Sequence, residues 1–235
     1  MANVTAVSSS EELTPDEQQL VSEVLGSEYT ILMSALNAAW NASLVRTSTF
    51  IFSLSAAGVA LGAAQGGLDR APSRLLALVV LPLVLFLGVA TFVRLVQVQR
   101  ESIIYITGLN RIRNFFIELA PASKPYFVLP AYDDEPSLFR SVGSGMNRRP
   151  PRYRLLHLVV QTQGIVGVVT AAVAAAFAGL AAAPYGLAAT SAVAAVAFVV
   201  ALAALFIYWQ RSLAELRASI RPLHPTPPEE VNAPF

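Results

Sequence analysis

Between Arg154 and Arg211 the chain runs for 56 residues without an Asp, Glu, Lys or Arg. As one helix this run would be about 84 Å long, far more than the roughly 30 Å of a hydrocarbon core. Pro184-Tyr185-Gly186 divides it into two lengths that each suffice for a crossing. Two shorter charge-free runs, 47–68 between Arg46 and Asp69 and 75–93 between Arg74 and Arg94, would be about 33 and 28 Å long as helices. The sequence therefore predicts an all-α polytopic membrane protein with four transmembrane helices, at 46–68, 75–97, 155–183 and 186–210. Only 13% of the residues are charged, about half the share of a typical soluble domain. That excludes an ordinary soluble enzyme and a disordered chain.

Arginine placement sets the expected orientation. The connections between the first two spans and between the last two carry only Arg70 and Arg74. The opposite side has Arg46, nine basic residues from Arg100 to Arg154, and Arg211, Arg217 and Arg221. Both termini and the middle segment are expected in the cytoplasm. The first residues have neither a basic region nor an apolar core, so no cleavable signal peptide is expected. Fifteen arginines against the single Lys124, with heavy use of Ala and Val, point to a GC-rich bacterial genome and hence to the cell inner membrane.

The cytoplasmic parts read mainly as helical continuations. After a disordered stretch at 1–13, Thr14-Pro15-Asp16-Glu17 has the form of a capping box, opening an amphipathic helix over 14–45 that runs into the first span, with Gly26 its weak point. Past the second span, Tyr105, Leu109, Ile112, Phe116 and Leu119 recur at steps of four and three, the seam of a coiled coil or hairpin over 98–120, with Arg100, Arg111, Arg113 and Glu118 off it. The acidic first helix is expected to pack antiparallel to this basic extension as a stalk. Residues 121–154 form a long loop segment with a short helix at 136–142. Tyr126, Phe127, Leu129, Tyr132, Leu138 and Phe139 should order its first half, and 143–151 should be flexible. Asp133-Asp134-Glu135 reads as a solvated helix-capping turn, because adjacent carboxylates diverge. A helix end at 211–221 and a disordered proline-rich tail at 222–235 complete the chain.

Polar residues in or beside the spans are the candidate pore or gate groups: Arg46, Thr49 and Ser53 in the first span, Arg94 and Gln97 at the end of the second, and His157, Gln161 and Gln163 at the start of the third. Two readings stand side by side. In one they line a vestibule in which His157 titrates near neutral pH. In the other the arginines reach headgroups and the hydroxyls and amides bond between helices. No carboxylate stands at mid-membrane, as a proton or cation translocator would ordinarily need. Pro82 is expected to kink the second span. Tyr208-Trp209 falls at the interfacial belt. Small residues, among them Gly164, Gly167, Ala171 and Ala178, let helices approach closely and favour a homo-oligomer. Arg148, Arg149, Arg152 and Arg154 would contact anionic lipid headgroups.

Absent residues narrow the chemistry further. Without cysteine there is no thiolate nucleophile, disulfide or cysteine metal site. Two histidines do not make a histidine metal cluster, and Lys124 follows Ser123, not the glycine of a phosphate-binding loop. No catalytic residue, metal or cofactor is assigned, and no nucleic-acid partner. Gly145-Met146-Asn147 is similar to the signature triplet of bacterial magnesium channels, but it precedes the third span instead of following a pore helix. Gly164-Ile165-Val166-Gly167 resembles the glycine-rich pore helix of stator and ExbB-type proton-channel subunits, with Val168 where that family has threonine. No family is assigned from either. The expected function is a non-enzymatic, channel or pore-like membrane effector controlled by its cytoplasmic helices. The alternative is a non-conducting scaffold or accessory subunit that binds a cytoplasmic protein partner.

Overall fold

A computed structural model of the chain describes residues 14–67, 70–141 and 161–227; 89% of it is helical, with no strand. The α-helices among the described residues are α1 (Pro15–Gly67), α2 (Arg70–Leu119), α3 (Glu135–Ser141), α4 (Thr162–Ala182) and α5 (Leu187–Ser219). Short 3₁₀ turns lie at Pro121–Tyr126 and Ala183–Tyr185. Among the described residues four helices are long and apolar enough to cross a membrane.

The capping box forms as the sequence predicts. The Thr14 N–H donates to Glu17 Oε2 at 2.9 Å, and the Glu17 N–H returns to Thr14 Oγ1 at 3.4 Å. From there α1 continues unbroken for 53 residues, about 80 Å. Gly26 does not interrupt it, and the Thr30 hydroxyl caps the Gly26 carbonyl at 3.0 Å. Pro82 lies inside α2 without ending it; a single lost backbone bond is tolerable where neighbouring turns hold the helix.

α1 and α2 are antiparallel along their whole length. Tyr29 meets Arg113, Trp40 donates to Ser102 Oγ at 3.2 Å, Phe50 meets Gly88, and the Ser73 hydroxyl reaches the Ala64 carbonyl at 3.0 Å. α4 packs on α2, with Gly167 under the Phe92 ring and Thr170 beside Gly88. The chain then reverses at Gly186, whose φ of 96° suits a residue without a β-carbon. Here the break expected at Pro184-Tyr185-Gly186 is found. Gly179 brings α4 close to Ala194 and Thr190 of α5.

The main contacts run α1 on α2, α2 on α4 and α4 on α5, and a smaller contact brings α5 back onto α2. Phe50, Val84, Phe92, Leu95, Val96, Val166, Val173 and Trp209 make the core. Outward faces carry Phe52, Val59, Phe86 and Val196, all exposed. In lipid such faces need no protein cover, because acyl chains are as apolar as the side chains themselves. The two hairpins lie at one end of the molecule. At the other end α1 and α2 project as a two-helix stalk.

α2 begins at Arg70, before the expected 75, and α4 is described from Thr162, with 155–160 outside the described residues. Residues 1–13 and 142–160 also lie outside them, and with them His157, the arginines 148, 149, 152 and 154, and the triplet 145–147. Trp209 is not a lipid-facing belt residue: it is buried, and its indole N–H donates to Gln99 Oε1 at 2.8 Å. Tyr208, its neighbour, does face outward.

Candidate functional site

The most constrained polar chemistry lies at the stalk end, where α2, the 121–134 segment, α3 and the chain after α5 converge. Asn110 sits on α2 with no exposed surface. Its amide nitrogen donates to the Tyr132 carbonyl at 2.8 Å and to Ser141 Oγ at 3.3 Å, while its oxygen accepts from Arg113 Nη1 at 2.7 Å. Arg113 is buried too, contrary to its expected place off the seam. Its second nitrogen donates to the Tyr29 hydroxyl at 3.3 Å, and its guanidinium carbon lies 5.7 Å from the centre of that ring. The stalk thus closes on an aromatic–guanidinium contact. Neither Arg111 nor Arg113 pairs with a carboxylate of α1 among the described residues.

Arg111 points instead to Asp133, donating from Nε at 2.7 Å. The same carboxylate accepts the backbone N–H groups of Leu223 at 2.9 Å and His224 at 2.8 Å. Burial alone would raise the Asp133 pKa; the Leu223 N–H, the Arg111 guanidinium and the His224 N–H outweigh it and hold the group below its ordinary value of 3.8. Asp134 accepts the Ser137 N–H at 3.2 Å, capping α3, and holds Thr226 through its N–H at 2.9 Å and its hydroxyl at 2.7 Å. Glu135 pairs with Arg217 at 3.2 Å. The three adjacent carboxylates therefore do diverge, but each takes hold of a different point of the C-terminal segment. Only Asp134 performs the expected capping role, and Asp133 is not solvated.

The same clamp fixes the start of the tail. Residues 222–227, expected within a disordered segment, are held by those bonds and by the Ser137–Thr226 hydroxyl pair at 2.8 Å. Tyr126 and Val128 are almost fully exposed, and Phe127 and Leu129 are exposed as well, so apolar packing of 126–129 is not what orders the segment. Leu138 is buried as expected.

Among the described residues, no hydrogen bond joins the pore or gate candidates of one helix to those of another. Arg46 and Thr49 are exposed; the Thr49 hydroxyl donates to the Val45 carbonyl at 2.9 Å and that of Ser53 to the Thr49 carbonyl at 2.8 Å, both within α1. Arg94 pairs along its own helix with Glu101 at 3.0 Å and with Gln97 at 3.3 Å. Gln163 reaches Gln99 at 3.4 Å, and Gln161 Oε1 is buried with no partner among the described residues. Of the small residues, Gly167 and fully buried Ala171 serve packing within the chain, and Gly164 and Ala178 are half-buried. Sequence reasoning passed over Gly58, Gly62 and Gly66, which leave an open four-residue-spaced face on α1. Their spacing was the available signal. Among the described residues no three His, Asp or Glu side chains gather as metal ligands.

The chain matches no known family model, and no curated protein or solved structure matches it either.

Proposed function

We propose that the protein is a non-conducting, non-enzymatic scaffold of the bacterial inner membrane, four-spanning with both termini in the cytoplasm, which holds a cytoplasmic protein on its stalk. The observation that carries this reading is an apolar stripe on α1. Leu20, Val24 and Ile31 are 61, 58 and 58% exposed. Ile31 precedes Arg46 by about 22 Å of helix, beyond the reach of the hydrocarbon. Apolar surface left open in water marks a contact site. Asp16, Glu17, Glu23 and Glu28 surround the stripe, and no basic residue precedes Arg46. The partner best matched to it is a basic amphipathic helix, since a second copy of the same face would set acid against acid.

A scaffold is preferred to a pore because the hydroxyls of Thr49 and Ser53 are bonded within α1 and Arg94 is paired on α2. Self-association through exposed small residues of the spans is part of the proposal. Affinity capture from native membranes should recover a stoichiometric partner with the wild type and lose it with L20S/V24S/I31S. Purified protein in liposomes should leave them tight to ions and dye; steady flux would return the assignment to a channel.

A further inference from the structure

Between α2 and α5, at the base of the stalk, lies a groove of about 430 Å³ with Arg100, Arg211, Ser212 and Glu215 at one end and Ala204 and Ile207 at the other. We propose that this groove binds an anionic phospholipid, its phosphate between Arg100 and Arg211 and an acyl chain along Ala204 and Ile207. The proposal rests on the membrane placement given above and is independent of the scaffold role.

Depth supports it first. Counting from Leu187 at the hairpin end, Ile207 stands about 30 Å along α5, the thickness of the hydrocarbon core, and Arg211 about 6 Å further, in the headgroup layer. The apolar end of the groove thus falls where acyl chains are and the basic end where phosphates are.

Charge supports it second. Arg100 Nη1 donates to Ser212 Oγ at 3.2 Å, which aims the guanidinium across the groove. Its ion pair with Glu215 is long, 3.8 Å, and Glu215 is 71% exposed, so the pair is weakly held. Arg211 is exposed and has no hydrogen bond or ion pair with another described residue. Two guanidiniums against one loosely held carboxylate leave the groove positive, with planar donors suited to phosphate oxygens. Arg94, by contrast, is already paired with Glu101 at 3.0 Å. Basic pockets between spanning helices on the cytoplasmic side are where anionic headgroups are held.

The test uses the full chain in neutral detergent, titrated with phosphatidylglycerol, phosphatidylcholine or inorganic phosphate, with bound lipid counted by native mass spectrometry and the melting temperature followed in parallel. Phosphatidylglycerol should bind in preference to phosphatidylcholine and raise the melting temperature. R211Q, at an exposed position, and R100Q should each weaken it about fivefold. E215Q, which removes the competing carboxylate, should tighten it, whereas a merely structural Arg100–Glu215 pair would give lower stability and unchanged lipid binding. Equal binding of the two lipids, or indifference to R100Q and R211Q, overturns the proposal. Full competition by inorganic phosphate overturns the lipid in favour of a free anion. Carbonate-resistant insertion into phosphatidylcholine vesicles checks the membrane placement separately.

Discussion

The Asp133 carboxylate accepts the backbone N–H of His224 at 2.8 Å, across 91 positions of sequence. A side chain that binds backbone groups fixes a path of the chain without asking for particular side chains there. Replacing it with Asn keeps the shape, removes the charge that holds Arg111, and offers an N–H₂ where an acceptor is needed. D133N should therefore destabilise the fold by about 2–3 kcal/mol, less than a fully buried pair would show because Arg111 remains partly solvated. Proteolysis within 221–227 should accelerate in D133N, and thermal melting gives the energy. An unaltered cleavage pattern would mean that Asp134 and Glu135 hold the segment alone.

Acid should release the same segment. The Asp133 pKa is lower in the folded chain than its ordinary 3.8. A carboxylate with a depressed folded pKa gives stability that is present above the unfolded value and vanishes as pH falls through the folded one. Docking of 221–227 should therefore be constant from neutral pH down to about pH 5 and be lost below about pH 4. The chain has no cysteine, so Pro227→Cys offers a single site for a fluorophore, attached at neutral pH, whose emission on acidification reports release. His224 lies 3.7 Å from Glu118, and Glu135 is paired with Arg217. Comparison with D133N isolates the Asp133 component, which is the part of the acid release that this variant lacks.

Gly88 marks where three helices come closest. A β-carbon there would stand 2.6 Å from Thr170 Oγ1 and 3.0 Å from Phe50 Cε2. The threonine hydroxyl cannot easily yield, because it is bonded to the Val166 carbonyl at 2.7 Å. G88A should cost about 1–3 kcal/mol in detergent unfolding, as overpacking does. At Gly62 nothing lies within 4 Å, so G62A should leave the protomer unchanged or slightly more stable. If G62A lowers the particle mass instead, the open face of α1 is in use between copies.

Those contrasts show which parts of the molecule were legible in the sequence. Charge-free runs, Pro184-Tyr185-Gly186 and the Thr14–Glu17 box are local signals, and each is found in the structure because helix length, chain reversal and capping are decided over a few residues. The role of Asp133 was not legible. Its partners, Leu223 and His224, are backbone groups of a proline-rich segment whose composition gives no sign of docking. Sequence position puts Tyr208-Trp209 at the interfacial belt, yet one step of helix turns Trp209 toward Gln99 while Tyr208 faces out. Its place off the seam marks Arg113 as outward-facing, yet it is buried through Asn110 and Tyr29, from two different helices.

That last contact separates two accounts of how the stalk holds together. If charge joins the acidic helix to the basic one, reversing Arg111 and Arg113 together should weaken assembly chiefly at low salt. The contacts favour a different dependence, because Tyr29 offers Arg113 a ring face at 5.7 Å and a hydroxyl at 3.3 Å. Y29F keeps the ring and should cost about 0.5–1.5 kcal/mol. Y29A removes both and should cost at least ~1 kcal/mol more, from lost cation–π attraction and packing. With R113M the guanidinium is gone, so Y29F should then be nearly neutral, and a double-mutant cycle on melting free energies reads the coupling directly. Because Arg113 is shielded from solvent, this coupling should persist at 0.5 M salt, where exposed ion pairs are screened over less than about 5 Å. A coupling that vanishes in salt would restore the acid–base stalk.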